Sequence, residues 1–343
     1  MSRRGEAGAT RLRGRILGAL GAMLLLLALA VVLAVTFGAS DVRLWHRLVG
    51  GVWGDAERAI LLTLRLPRVL AAAAVGGLLG LAGVAFQALL RNPLADPYVL
   101  GVSGGASLGG VVALILGAGG LFVPAAAFAG ALVALVTIER LATVGGRLTV
   151  LTLLLTGAIF NAASAALIYF LQSIASRAEL QAIVFYLMGR VPAPSLSTLG
   201  GLAFAGVALT LLFFASGRDF NALALGEEGA RQLGVDVERL KRRTFILGSL
   251  ATGLAVATAG MIGFVGLVVP HVLRRLFGPD HRLLLPASFL AGGAFLVLAD
   301  LVGRTAAAPS ELPVGVVTAL VGGPLFLLLL RRRHRDSNAS ERS

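Results

Sequence analysis

The side chains that could do chemistry in this chain are few and unevenly placed. There is no cysteine, which removes disulfides, thiolate zinc sites, iron-sulfur clusters and cysteine nucleophiles together. The four histidines stand apart in the sequence, so no metal centre is expected. The single lysine, Lys241, follows Leu240, which rules out a G-x-x-x-x-G-K-[ST] phosphate loop and ATP hydrolysis by that route. What remains is arginine and carboxylate chemistry. Asp300 and Arg304 are four residues apart, close enough on a helix to pair and so to lower the cost of either charge near a membrane. Arg65 and Arg68 bracket Pro67. A guanidinium fork suits carboxylates, so Arg65, Arg68 and Arg304 could receive acidic side chains from another protein, with internal pairing as the alternative.

The elements that position these groups are apolar. The chain has 343 residues, 57% hydrophobic and 14% charged, where a soluble domain carries about 25% charged residues. Mean hydropathy is +0.89. Stretches of the roughly 20 residues needed to cross a bilayer recur near 16–37, 69–90, 98–117, 121–140, 149–171, 196–216, 243–260, 262–277, 284–303 and 313–330. The expectation is an all-α polytopic membrane protein with about ten transmembrane helices. The first run is too long for the core of a cleaved signal peptide and lacks a small-x-small site after it, so it is read as a retained helix. The 262–277 run is short and carries Pro270.

A net charge of +13 in a soluble protein would suggest a nucleic-acid partner. Here the basic residues cluster between apolar runs, as membrane topology demands, and no nucleic-acid partner is expected. With ten spans, 22 of the 30 Lys and Arg residues fall on the side of the termini, and the other side holds Arg43, Arg47, Arg58, Arg65, Arg68, Arg177, Arg190 and Arg304. Positive-inside then places both termini in the cytoplasm.

Three further features bear on function. Gly76 and Gly80, and Gly101, Gly105 and Gly109, have the four-residue spacing that lets helices pack closely in lipid; a route that changes width is the sharper reading. Arg91-Asn92-Pro93-Leu94-Ala95-Asp96-Pro97 must turn, because proline lacks an amide donor and disfavours helix before it. With the polar stretch from Arg147 to Thr152, that turn could close the inner end of a pathway. Finally, residues 219–236 resemble two short helices joined at a glycine, with Leu225, Ala230 and Leu233 apolar among charges and Gly226 and Gly234 as breaks. This is read as a partner-docking surface of about 219–239. Apart from Asp300 no carboxylate lies well inside a span, which disfavours an ion-coupled secondary transporter, the main rival reading, as the docking-like loop also does. A membrane receptor without transport is the second rival.

Arg65-Leu66-Pro67-Arg68, Gln87 to Pro97, Leu100 to Gly105, Ala224 to Glu228, Gly263 to His271 and Glu311-Leu312-Pro313-Val314-Gly315 together resemble the permease subunits of iron-siderophore, haem and cobalamin ABC importers, the FecCD/BtuC-like family. The resemblance runs from about 60 to 330. It implies the type II importer fold, with spans two to five and seven to ten as halves of opposite orientation. It implies a homodimer in the bacterial plasma (inner) membrane, two separate ATP-binding subunits that use ATP and Mg, and an extracytoplasmic substrate-binding protein, with no cofactor bound by this chain. Positions matching Leu225, Gly226, Glu227, Glu228, Ala230, Leu233 and Gly234 would couple to the ATPase. Those matching Arg65, Arg68 and Arg304 would dock the binding protein, and those matching Asn92, Leu94, Leu151 and Thr152 would form the cytoplasmic gate. Residues 16–330 are then the permease domain, with 1–15 and 331–343 as basic, partly disordered cytoplasmic ends.

Overall fold

The computed structural model describes residues 2–38 and 54–340; Arg43 and Arg47, counted above, lie outside them. The chain is a helical bundle. Its helices are α1 (Ser2–Thr36), α2 (Asp55–Ala59), α3 (Leu66–Leu89), α4 (Val102–Ile115), α5 (Phe122–Ala142), α6 (Val150–Ile174), α7 (Arg177–Leu187) and α8 (Leu196–Ala215). They are followed by α9 (Gly217–Leu223), α10 (Glu227–Gln232), α11 (Val237–Ala259), α12 (Val265–Phe277), α13 (His281–Thr305) and α14 (Val314–Ser340). The only described strands form a small antiparallel hairpin, β1 (Thr143–Val144) and β2 (Arg147–Leu148). Gly145 and Gly146 make its two-residue turn at φ of 58° and 78°, the left-handed conformation such turns need.

Among the described residues, six helical stretches are long and apolar enough to cross a bilayer: residues 14–36 of α1, Ile60–Leu89, α5, α6, α8 and α13. The four remaining expected spans coincide with α4, α11, α12 and the apolar part of α14. The chain is a multi-pass membrane protein. Thirteen residues in α12 give a helix of only about 20 Å, shorter than the bilayer core, and Pro270 lies inside it.

Glycine spacing sets the core. A Cβ on Gly76 or Gly80 of α3 would overlap the carbonyl oxygens of Gly292 and Ser288 in α13, and one on Gly83 would overlap that of Gly266 in α12. In the same way Gly105 and Gly109 of α4 lie against Gly130 and Ala126 of α5. Close backbone approach is what small residues supply where lipid offers no hydrophobic drive for association. Gly101 instead ends a 3-10 turn, Pro97–Leu100, at φ 90°. Around this core, large apolar residues such as Leu25 of α1, Ile159 of α6 and Phe204 of α8 face outward, as a lipid-facing surface requires.

Four local features differ from the sequence reading. The second span does not begin near residue 69: the helix continues outward past Pro67 and through a π-helical segment, Ile60–Arg65, to Asp55. Proline cannot donate to the turn before it, and a wider turn accommodates this. Helix α7 was not expected; it starts at a capping box in which Ser176 and Glu179 satisfy each other's backbone amides. Between α11 and α12 the backbone is irregular from Gly260 to Phe264, and Phe264 takes φ 69°. The hydroxyl of Tyr98 donates to Ile262 O and accepts from Ile262 N, both at 2.8 Å, satisfying polar groups that lipid cannot. Lastly, α1 runs from Ser2 and α14 to Ser340, where partly disordered ends were expected; extending an established helix avoids the cost of nucleating a new one.

Candidate functional site

Two clusters at opposite ends of the bundle hold most of the polar chemistry. At the end reached by Thr36, Arg68 on α3 uses both edges of its guanidinium. Its Nε and Nη2 donate to Asp300 Oδ1 at 3.0 and 2.9 Å, and its Nη1 to Glu311 Oε1 and Oε2 at 3.1 and 2.9 Å. Arg304, one turn after Asp300 on α13, donates Nε to Asp300 Oδ2 at 2.9 Å and Nη2 to Ala34 O at 3.0 Å. Arg65 Nη1 reaches Val35 O and Thr36 O at 3.2 and 3.4 Å. The cluster therefore ties α1, α3, α13 and the segment before α14 together. Asp300 is buried, its side chain 1% exposed, while that of Glu311 is 34% exposed.

These groups border a cavity of about 770 Å³ lined by Arg65, Arg68, Arg190, Arg304, Glu311 and Tyr186, among others. The three arginines expected to receive carboxylates are thus gathered at one opening, but Arg65 and Arg304 are buried, and Arg68 and Arg304 already hold internal carboxylates. Sequence reasoning missed Arg190, and it quoted Glu311 only as part of a motif. Nothing local marks their meeting with Arg68, which lies 243 positions before Glu311.

At the other end, α9 and α10 form the expected pair of short helices, separated at Gly226 with φ 103°. Leu225 and Leu233 are 73% and 64% exposed, and Glu228 projects into solvent. Gly234 (φ 83°) closes the segment. Ala230, expected on the same apolar surface, is buried, because Val235 N bonds back to its carbonyl oxygen and the end of α10 folds onto α11. Glu227 is also turned inward. Lys241, buried on α11, places Nζ 2.8 Å from Glu238 Oε1 and 3.4 Å from both oxygens of Glu227. Glu238 further accepts from Leu148 N at 2.9 Å, so the hairpin joins the cluster. Burial pushes the Glu238 carboxyl up, but the bonds from Lys241 and Leu148 N–H outweigh it and hold it below the usual range. The spacing Glu238 to Lys241 was a legible signal; the bond to Glu227 was not.

Helix α9 is fixed to α13 through Asn221, whose Nδ2 donates to Asp280 Oδ1 at 2.8 Å and whose Oδ1 accepts from His281 N at 2.9 Å. Asp280 caps α13. The Arg282 guanidinium, against burial and with Asn221, holds its carboxyl down to about 2.

The two gate segments are placed separately. Asn92 Oδ1 accepts from Leu94 N at 3.0 Å, making a local turn, and Gln87 anchors the turn's approach to α12 through Gly266 O at 3.3 Å. Leu151 is exposed and Thr152 half-buried near the start of α6. That helix meets the Pro97–Leu100 turn at Gly157 and at Asn161, which donates to Tyr98 O. Leu151 therefore lies about 9 Å further along the helix axis. Among the described residues no hydrogen bond joins the two segments within one chain.

Comparison with known proteins follows the same outline. The FecCD transport family matches residues 24–332. The cobalamin import system permease BtuC of Halobacterium salinarum is 44% identical over 81% of this chain and 75% of its own length. The hemin transport system permease HmuU of Yersinia pestis is 39% identical over 93% and 97% respectively. A solved structure described as an inward-facing metal-chelate type ABC transporter superposes with a TM-score of 0.80 at 29% identity, covering 92% of this chain and 99% of the other.

Proposed function

The chain belongs to the FecCD transport family and is a permease subunit of an ABC importer, and from that premise we propose how its two ends divide the work. It forms the translocation pathway as a homodimer in the bacterial plasma membrane, both termini in the cytoplasm. Its cargo is a ferric siderophore or a related metal chelate, with haem and cobalamin as the relatives' substrates. Two ATP-binding subunits, using ATP and Mg, seat against α9 and α10. An extracytoplasmic binding protein docks at the cavity bordered by Arg65, Arg68 and Arg304. The chain itself binds no cofactor; Asn92, Leu94, Leu151 and Thr152 close the cytoplasmic end, the two segments meeting across the dimer rather than within one subunit.

The observation that carries this reading is the exposed pair Leu225 and Leu233, which flank the short helix α10 that presents Glu228 and is braced from behind by Lys241. An apolar pair presented at a bundle's end, outside the lipid-length helices, is the mark of a protein contact. Closure of the ATPases on ATP moves α10. The Lys241 cluster passes that movement to α11, and Asn221 passes it to α13, whose Gly292 and Ser288 lie on α3. The bundle then changes which end is open, the energy coming from ATP and the two states from packing.

Leu225→Asp with Leu233→Asp tests this. Loss of the ATPase from the affinity-purified permease, with the bundle still monodisperse, supports the reading. Undiminished recovery of the ATPase refutes it.

A further inference from the structure

The arginine cluster contains an exchangeable carboxylate. Among the described residues, Arg68, Arg190 and Arg304 share two carboxylates, Asp300 and Glu311, and the two are unequal. Asp300 is 1% exposed and bonded from both sides by Arg68 and Arg304. Glu311 is 34% exposed, sits on the segment before α14, and pairs with the outer edge of Arg68 at 2.9 Å. Arg190, 67% exposed, stands 3.9 Å from the same carboxylate. Arg68 has no free edge while Glu311 is in place, so no second carboxylate can take it in the bidentate manner that makes guanidinium pairs strong.

We propose that Glu311 is a placeholder: it holds Arg68 until a carboxylate from an acidic protein surface displaces it, and Arg190 is the cation that receives that carboxylate first. This rests on the importer reading, in which an outer binding protein docks here. The net positive balance of the cluster favours an acidic partner, and the exposed Arg190 gives the incoming charge a landing point before exchange. Displacement has a structural consequence. Leu312 N donates to Gly303 O at 2.9 Å, and Gly315 lies against the carbonyl oxygens of Met188 and Met261. Release of Glu311 therefore loosens the start of α14 beside the irregular backbone between α11 and α12. Docking is thereby reported to the elements that break the helical pattern.

The permease–ATPase complex in nanodiscs, titrated with its substrate-binding protein, tests the exchange. Glu311→Gln is expected to tighten binding about 5-fold, since removing a partly exposed competitor pair frees Arg68. Glu311→Asp, which keeps the charge but shortens its reach, is expected to shift affinity in the same direction by less. Arg190→Gln is expected to slow association and flatten its salt dependence. An equal gain from Glu179→Gln, a carboxylate outside the cluster, would reduce the effect to bulk charge and overturn the placeholder. Unchanged or weaker binding in both Glu311 variants would overturn it as well. Absence of binding by the unaltered complex would instead overturn the importer reading on which it stands.

Discussion

Replacing Lys241 by Met removes the charge that braces α10 while keeping most of the aliphatic stem that packs in the core. Removing one partner of a fully buried ion pair costs about 3–5 kcal/mol. Here the carboxylates left behind are not fully buried: the Glu227 and Glu238 side chains are 28% and 30% exposed. Each also keeps another partner, since Arg231 lies 3.3 Å from Glu227 and 3.7 Å from Glu238, and Leu148 N still bonds Glu238. The expected cost is therefore about 1–2 kcal/mol, confined to the junction of α10 and α11, which raises the detached population of α10 roughly 5- to 30-fold. Hydrogen exchange of the α10 amides, measured in nanodiscs without the ATPase, reads that population directly. Exchange should accelerate by that factor in α10 and the first turn of α11, while α3 and α13 stay unchanged. Acceleration of less than about 2-fold in α10 would show that Lys241 is not the strut, and the route proposed from α10 to α11 would fail with it.

Glu228→Lys should impair ATPase stimulation without altering α10 exchange, because Glu228 faces solvent. Glu227→Lys should detach α10 outright, since it sets a second cation beside Lys241; equal exchange profiles for the two variants would contradict their opposite placements. Asp300→Asn leaves Arg68 and Arg304 sharing a neutral amide in a buried site, and the expected loss is about 3–5 kcal/mol, seen as a large fall in thermal unfolding temperature. Gly76→Ala should cost at least about 1–3 kcal/mol by overpacking against Gly292 and Leu296, while Gly200→Ala, with open space around it, should be neutral in the same scan. Asp280 has a folded-state pKa depressed to about 2 from 3.8. Its contribution is thus complete above the unfolded value and disappears as pH falls toward 2. Asp280→Asn should remove that part of the acid dependence of unfolding, and an unchanged acid profile would refute the assignment.

The parts of the fold that rest on spacing were legible in the sequence. Four-residue glycine intervals at Gly76 and Gly80, and at Gly105 and Gly109, mark backbone contacts because one helix face is all such a contact needs. Gly226 marked the division between α9 and α10, and Asp300 with Arg304 marked a pair, for the same local reason. What escaped reading depends on distant segments. Glu311 meets Arg68 across most of the chain, and Ala230 is buried only because α10 folds back on α11. The placement of Arg65 and Arg68 within a helix that starts before the expected span of 69–90 follows from a π-helical turn that no residue pattern announces. Helix α7 is different: Ser176 and Glu179 have the S-x-x-E spacing of a capping box, a local signal that the sequence does carry, although the helix it opens is only 11 residues long and too short to cross a bilayer. Asn92 and Leu151 were read as partners only through the resemblance, and among the described residues no hydrogen bond joins their two segments, so no residue pattern could have paired them.

Uptake by proteoliposomes is the direct test of whether this bundle is driven from outside itself. With the permease and its ATPase co-reconstituted, and the chelate-loaded binding protein supplied at the opposite face, accumulation should require ATP and Mg on the α9–α10 side and stop when Leu225 and Leu233 are made acidic. Accumulation by the permease alone, driven by a proton or sodium gradient with no ATPase present, would contradict the account.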